Sequence, residues 1–299
     1  MPGAPDRAVA IVNPATRGNY KRIIELLELA APRTTDFEVY LTEHAGHASA
    51  LAQEHARKAD VLIAVGGDGT VADVAAAVRG TPAALGIIPG GSTNIVARGM
   101  GIPTNAHSAA RLVFEDHEVR AIDAGVGGDR TFLHMAGAGL DSNLFALARP
   151  ELKRKVGWMA YLPAAIEALR RPMATYSVRS EEMTLENVRS PLVLVANGSS
   201  VIAPQLQLDS RIKYDDGLLD VLFVTATTPI EMANVLARIA MRQMGGSPHV
   251  VSFTTRDVTI EATPDIPVQF DGDVVGTTPV RLKVDPRSVQ IIVPQPKGK

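Results

Sequence analysis

At 299 residues the chain exceeds the usual size of one domain, so two domains are expected, each with surface enough to bury a core, and a cleft between them is the expected site. Thirty basic and 32 acidic residues leave a formal charge of -2, and no arginine-rich or aromatic-interleaved strip argues for nucleic acid. The absence of cysteine excludes disulfides and thiolate metal sites and fits a reducing cytoplasm, and no apolar run reaches the roughly 18 residues of a membrane span or forms an N-terminal signal, so a cytoplasmic chain that is soluble or peripheral is expected.

The first third alternates strand and helix. Apolar, nearly continuous strands are expected at 8–12, 37–41, 61–65 and 85–88, with helices at about 21–30, 45–59 and 72–79 between them. That rhythm reads as a doubly wound, Rossmann-like parallel sheet covered on both faces. After Asp123 the pattern changes to short runs rich in β-branched residues, at 132–135, 175–179, 192–195, 219–224, 258–261 and 268–270. Turn chemistry separates them, as in Gly127-Gly128-Asp129, Asp216-Gly217 and Asp271-Gly272, which favours an antiparallel β-sandwich interrupted by helices near 156–170 and 229–241.

Chemistry concentrates where strands of the first domain end. Gly66-Gly67-Asp68-Gly69-Thr70-Val71 joins an apolar strand to a helical pattern. Glycines admit a pyrophosphate without Cβ clashes, Thr70 is expected to cap the helix, and the first-turn amides with the positive end of the dipole attract anionic oxygens. Asp68 beside phosphate makes sense if a divalent cation mediates. The next strand ends in Pro89-Gly90-Gly91-Ser92-Thr93-Asn94, and consecutive βα loops of a parallel sheet lie side by side. No G-x-x-x-x-G-K-[ST] occurs, and the relaxed dinucleotide fingerprint Gly67-x-Gly69-x-x-Ala72 lacks the acid about 20 residues on that would hold a ribose. The loops after the first two strands, 13–18 and 42–48, belong to the same edge. There the hydroxyl of Thr42 is a better phosphate ligand than His44 and His47 are metal ligands, since no third ligand accompanies them.

In the second domain Asp215-Asp216-Gly217 suits an oxygen-liganded cation or a solvated hairpin equally well. Asp271-Gly272-Asp273 reads as a hairpin, or as two carboxylates aimed into one space. Lys153-Arg154-Lys155 beside Trp158 and Tyr161 reads as a solvated helix end or as a headgroup contact.

Taken together these motifs resemble the diacylglycerol kinase catalytic family in its bacterial soluble branch, related to sphingosine and ceramide kinases and to the NAD kinase superfamily. The carriers are NPATRG at Asn13, TEHAGHA at Thr42, VGGDGTV at Val65, PGGSTN-x-x-AR at Pro89, MAGAGLDS at Met135, the KRKVGWMAYL segment, ANG at Ala196, DDGLLDV at Asp215 and QFDGD at Gln269. The resemblance implies a nucleotide-binding domain over 1–123, rejoined by 288–299, and a lipid-substrate β-sandwich over 124–287. It implies ATP contacts at Asn13, Thr42, Gly66, Gly67, Asp68, Gly69, Thr70, Ser92 and Asn94. It further implies a structural Mg²⁺ held by Asp216 with the carbonyls of Lys213 and Leu218, and catalytic carboxylates at Asp271, Asp273 and Asp68. ATP, Mg²⁺, a lipid acceptor (diacylglycerol giving phosphatidate), peripheral membrane contact and a homodimer are its implied partners. Three departures stand out: Gly90 and Ile95 where the family has leucine and aspartate, Ser199-Ser200-Val201-Ile202 in place of a glycine-rich stretch, and Asp273 in place of glutamate. A kinase of a soluble acceptor such as NAD, or a nucleotide-binding regulator without turnover, are the alternatives.

Overall fold

The computed structural model describes residues 4–115, 117–139, 173–201, 203–209, 211–241 and 246–295. The basic cluster Lys153 to Lys155, Trp158, Tyr161, the helix expected at 156–170 and Ile202 lie outside the described residues. Two compact units emerge, one of residues 1–124 with 286–299, the other of 125–285.

Unit 1 runs β1 (Arg7–Val12), α1 (Tyr20–Ala30), β2 (Asp36–Leu41), α2 (His47–His55), β3 (Val61–Gly66), α3 (Asp68–Val78), β4 (Ala84–Pro89), α4 (Ile95–Gly99) and α5 (Ala106–Phe114), and leads into β5 (His117–Gly127). Unit 2 follows with β6 (Arg130–Phe132), β7 (Met135–Ala138), β8 (Ala174–Ser180), β9 (Thr184–Ser190), β10 (Leu192–Ala196), β11 (Ser200–Val201), β12 (Ala203–Gln207), β13 (Leu219–Val224), α6 (Pro229–Ala240), β14 (Val250–Thr255), β15 (Asp257–Thr263), β16 (Pro267–Phe270) and β17 (Asp273–Thr277). The long β18 (Val280–Pro294) begins in unit 2 and ends in unit 1.

In unit 1 the strands lie parallel in the order β2-β1-β3-β4, extended by the end of β18, where Gln290 and Ile291 pair with Ala84 and Leu85. β1, β3 and β4 are buried almost throughout because helices cover both faces, which is why they read as unbroken apolar runs. One face packs Ala8, Ala10, Val12, Ile63, Val65 and Ile88 against Ile23 and Leu27 of α1 and Val113 and Phe114 of α5. Phe114 meets Phe37 edge-on at 5.8 Å. The helix α5 is absent from the expectation. Its cap Asn105, whose side-chain Oδ1 accepts from Ser108 N at 2.8 Å, and its apolar spacing Ala109, Ala110, Val113, Phe114 were the available signal.

Unit 2 is a β-sandwich. One layer carries β18-β15-β8-β9 with β5 and β6, the other β14-β13-β10-β7-β16-β17. Alternate residues of the two layers meet in one core: Phe132, Tyr176, Val178, Val258, Ile260 and Leu282 face Val193, Val195, Val221, Phe223, Val268 and Phe270. Tyr176 packs edge-on against Phe223 at 6.2 Å, and Phe132 lies 5.1 Å from Phe270. Such aromatic pairs stabilise by about 0.5–1.5 kcal/mol beyond their buried area. Among the described residues no helix is long and apolar enough to cross a membrane.

Candidate functional site

The carboxyl ends of β1, β3 and β4 are stitched together by backbone hydrogen bonds. Asn13 N donates to Val65 O at 2.9 Å, Gly90 N to Gly66 O at 2.7 Å, and Arg17 N to Gly90 O at 2.6 Å. Thr42 N, after β2, donates to Val12 O at 2.9 Å. The expected loops therefore share one edge of one sheet. Gly67 and Gly91 touch: a Cβ on Gly91 would stand 2.7 Å from Gly67 Cα, and one on Gly67 3.4 Å from Gly91 Cα. A Cβ on Gly90 would collide with the Thr16 hydroxyl, so a leucine at 90 has no room while Thr16 occupies that place. Glycine at both positions is a packing requirement of the two loops.

Asp68 is the hinge of this arrangement. Its carboxylate accepts from Ile95 N at 2.7 Å through Oδ1 and from Asn94 N at 2.9 Å through Oδ2. A carboxylate taking two backbone amides gains charge-assisted bonds of roughly 1.5–3 kcal/mol each, which lock the second loop beside the first. Ile95, at the position of the family's aspartate, enters this clamp through its amide. Asn94 takes a left-handed conformation (φ 49°) and its amide is used twice on Gly91, accepting from the N–H at 2.8 Å and donating to the carbonyl at 2.9 Å. Its side chain therefore shapes the loop. Ser92 and Thr93 at the tip are exposed.

Thr70 requires a correction. The helix starts at Asp68, with Gly67 as a cap that has no side chain to offer, so Thr70 lies inside the first turn instead of capping it. Its buried hydroxyl accepts from Asn13 Nδ2 at 3.4 Å, tying the first loop to the third. Asn13 Oδ1 in turn accepts from Ala15 N at 2.9 Å. The opening amides of α3 have no acceptor within their own helix and present an anion-binding end.

In unit 2 Asp271 and Gly272 form the turn between β16 and β17, both with positive φ (48° and 103°), the geometry of a tight hairpin. The hairpin reading holds; the two carboxylates are not aimed into one space, because Asp271 is turned onto backbone amides while Asp273 is exposed. Asp271 accepts from Leu133 N at 2.8 Å through Oδ2 and from His134 N at 3.0 Å and Met135 N at 2.8 Å through Oδ1, while its own N–H donates to Met135 O. Burial pushes this carboxyl up to about 6 against the pull of those three amides, and Asp273 adds like-charge repulsion. Asp273 itself is exposed at the start of β17. No local pattern singles out His134, whose Nδ1 lies 2.6 Å from the Tyr214 hydroxyl in a buried contact that needs glycine at 198. Asp123 was missed as well. It is fully buried and accepts from Arg287 N at 2.8 Å; an acid between Ile122 and Ala124 in an apolar strand was the legible sign.

The Asp216-Gly217 turn precedes β13, whose partners are β10 and β14, so it is not a hairpin between paired strands. Asp216 Oδ1 accepts from Leu218 N at 3.1 Å, and Gly217 has φ 74°. Asp220 is pushed up to about 6, first by burial and then by the neighbouring charges of Asp216 and Asp209. Among the described residues no three His, Asp or Glu side chains converge as a metal cluster, so a cation at this turn would rest on Asp216 and carbonyl oxygens.

Residues 7–126 match the diacylglycerol kinase catalytic domain, and 135–293 match the YegS C-terminal NAD kinase beta sandwich-like domain. A Pseudomonas aeruginosa (strain UCBPP-PA14) protein named "Probable lipid kinase YegS-like" is 32% identical over 78% of this chain and 76% of its own. The diacylglycerol kinase of Staphylococcus saprophyticus is 26% identical over 96% of this chain and 95% of its own. A crystal structure from Bacillus anthracis str. Sterne superposes with a TM-score of 0.80 at 25% identity, covering 98% of this chain and 97% of that one. With both units matched in order, the chain belongs to the diacylglycerol kinase and YegS-like lipid kinase family.

Proposed function

We propose that this protein uses ATP to phosphorylate a lipid hydroxyl, with diacylglycerol giving phosphatidate as the reaction. The observation that carries the reading is the Asp68 clamp, which holds two glycine loops in contact at the edge of a parallel sheet where a helix begins. In this reading the amides of Gly67, Gly69 and Thr70 and the exposed Ser92 bind phosphate oxygens, with Asn13 and Thr42 beside them. Asp68 and Asn94 act by fixing the loops.

Phosphoryl transfer asks a protein to align the hydroxyl and to balance charge on the phosphate oxygens. Unit 1 holds the nucleotide phosphates for that transfer. In unit 2 Asp273, exposed at the hairpin tip, orients the acceptor hydroxyl and takes its proton, while Asp271 holds the tip in place through the amides of residues 133–135. Mg²⁺ carried by ATP would supply the positive charge that the phosphate oxygens need. A second, structural Mg²⁺ is assigned to Asp216 with the carbonyls of Lys213 and Leu218, where the charge of Asp216 already helps to raise the carboxyl of the half-buried Asp220. An acceptor buried in a bilayer implies peripheral contact with its surface.

Radiolabelled ATP with mixed micelles containing diacylglycerol tests the reading. Label should pass to the lipid and depend on both Mg²⁺ and acceptor. Transfer to NAD in place of lipid would favour the soluble-acceptor alternative, and nucleotide binding without transfer to either would leave a regulator.

A further inference from the structure

We propose that the stacked rings of His44 and His47 form the platform on which the base of the bound nucleoside triphosphate lies. The proposal rests on the nucleotide half of the lipid-kinase reading and adds a base subsite to the phosphate loops.

The two imidazoles lie 4.8 Å apart between ring centres and only 10° from parallel, an offset stack. Both are held by the backbone of their own loop. Glu43 N donates to His47 Nδ1 at 3.1 Å, and an amide only donates, so the neutral His47 ring carries its proton on Nε2. His44 Nδ1 lies 3.0 Å from the carbonyl of Ala45, which only accepts, so the neutral His44 ring carries its proton on Nδ1. The loop closes around Gly46, at φ 81°, through His47 N, which donates to His44 O at 3.2 Å. Rings fixed before a ligand arrives cost little to order when it binds. His47 is half-buried and backs His44, which is exposed, so the open face of the pair belongs to His44. Near-parallel rings keep their in-plane lone pairs in separate planes, and among the described residues no third His, Asp or Glu joins them. The pair therefore suits a flat ring better than a metal ion.

His47 opens α2, and α2 packs against α3, whose first amides form the anion-binding end. Neighbouring helices that each follow a strand of one parallel sheet start at the same edge of it. The start of α2 thus stands beside the start of α3, at the usual interhelical distance of about 8–10 Å. The strand order gives the same spacing: β2 and β3 flank β1, two strand widths or roughly 10 Å apart. With phosphates on the amides of Gly67, Gly69 and Thr70, the ribose carries the base across the end of β1, past Asn13, toward Thr42 and the histidines. A flat aromatic face set off from an anion site matches a molecule that is charged at one end and flat at the other. Every base can stack on a histidine ring, and a purine covers more of it than a pyrimidine does.

Full-length parent, His44→Ala, His44→Phe and His47→Ala are titrated calorimetrically with ATP, CTP and inorganic tripolyphosphate, each with Mg²⁺ and without acceptor. Because His44 is exposed, its variants should melt with the parent. His44→Ala should raise the Kd for ATP by about five- to fiftyfold, the range of one base–aromatic stack, and leave tripolyphosphate within about twofold. His44→Phe keeps a flat ring and should bind ATP within about threefold of the parent. His47→Ala removes the backing ring and should weaken ATP in the same direction as His44→Ala. The parent should bind ATP more tightly than CTP, and His44→Ala should narrow that ratio. An ATP affinity indifferent to His44→Ala, or a matching loss for tripolyphosphate, overturns the platform, as does a parent that binds no nucleotide. Transfer of labelled phosphate to lipid judges the kinase reading separately. A parent that binds ATP through His44 and labels no lipid keeps the platform and loses that reading; lipid labelling with an ATP affinity indifferent to His44 does the reverse.

Discussion

Asp271 and Asp273 share a turn and differ in what holds them. Asp271 receives three backbone amides, so an asparagine there would turn an NH₂ group against one of the donors and leave amides of residues 133–135 without an acceptor. Asp271→Asn is therefore expected to lower Tm as well as kcat, the loss of stability being about 1–3 kcal/mol. Asp273→Asn, at an exposed position, should keep the parent Tm and the KM for ATP while kcat falls by about a hundredfold or more. Parental turnover in Asp273→Asn would remove it from the chemistry. The pH dependence follows from the carboxyl of Asp271, pushed up to about 6 by burial. A group with a native pKa above its unfolded value near 3.9 favours the folded chain when protonated. Its contribution is complete below about pH 4 and is lost as pH rises toward about 6. Ionised Asp271 is the form that holds the turn for reaction, so turnover should rise through about pH 6. Over pH 4–6 stability and activity should therefore move in opposite directions, read by thermal melts and initial rates in matched buffers. In Asp271→Asn this contribution to the stability slope should vanish.

At the scale of elements, the nucleotide loops are held by contacts between chain segments far apart in sequence. Asp68 opens α3 and binds the amides that open α4, and the two glycines leave no gap between their backbones. Gly91→Ala puts a methyl group 2.7 Å from Gly67 Cα, where only backbone can yield. It should weaken ATP binding by about tenfold or more while the sandwich of unit 2 keeps its own stability. Asp68→Asn can accept only one of the two amides, so it should weaken ATP binding and loosen the 91–95 loop, seen as faster hydrogen exchange there. Unchanged exchange in that variant would mean that the clamp does not hold the loop.

For the whole molecule, the two units bury their apolar cores in different layer arrangements. Unit 1 is covered by helices on both faces of its sheet, and unit 2 closes one layer on another around aromatic and β-branched side chains. The structural Mg²⁺ proposed for the turn at Asp216 would stabilise unit 2. Added Mg²⁺ should raise its Tm with the concentration dependence of a ligand that binds only the folded chain. Asp216→Asn should abolish that rise. A parental response in the variant would mean that the turn binds no structural ion.

The alternation of the first four strands with the first three helices, the edge at which the loops gather and the change to antiparallel pairing near residue 124 were legible in the sequence, because burial on both faces and tight turns leave local signatures of hydrophobicity and glycine; α4 and α5 were not. Local pattern also placed Asp271-Gly272 in a turn. It could not say that the Asp271 carboxylate would be spent on amides nearly 140 residues away, that Asp68 would clamp the next loop, or that Thr70 would lie inside a helix beginning two residues earlier. Those outcomes depend on which backbone donors arrive from distant strands. The histidines of the second loop divide the same way: two of them three residues apart at a helix start are ordinary in sequence, and only the folded loop lays one ring on the other, while the packing of α2 against α3 sets the pair beside the phosphate loops.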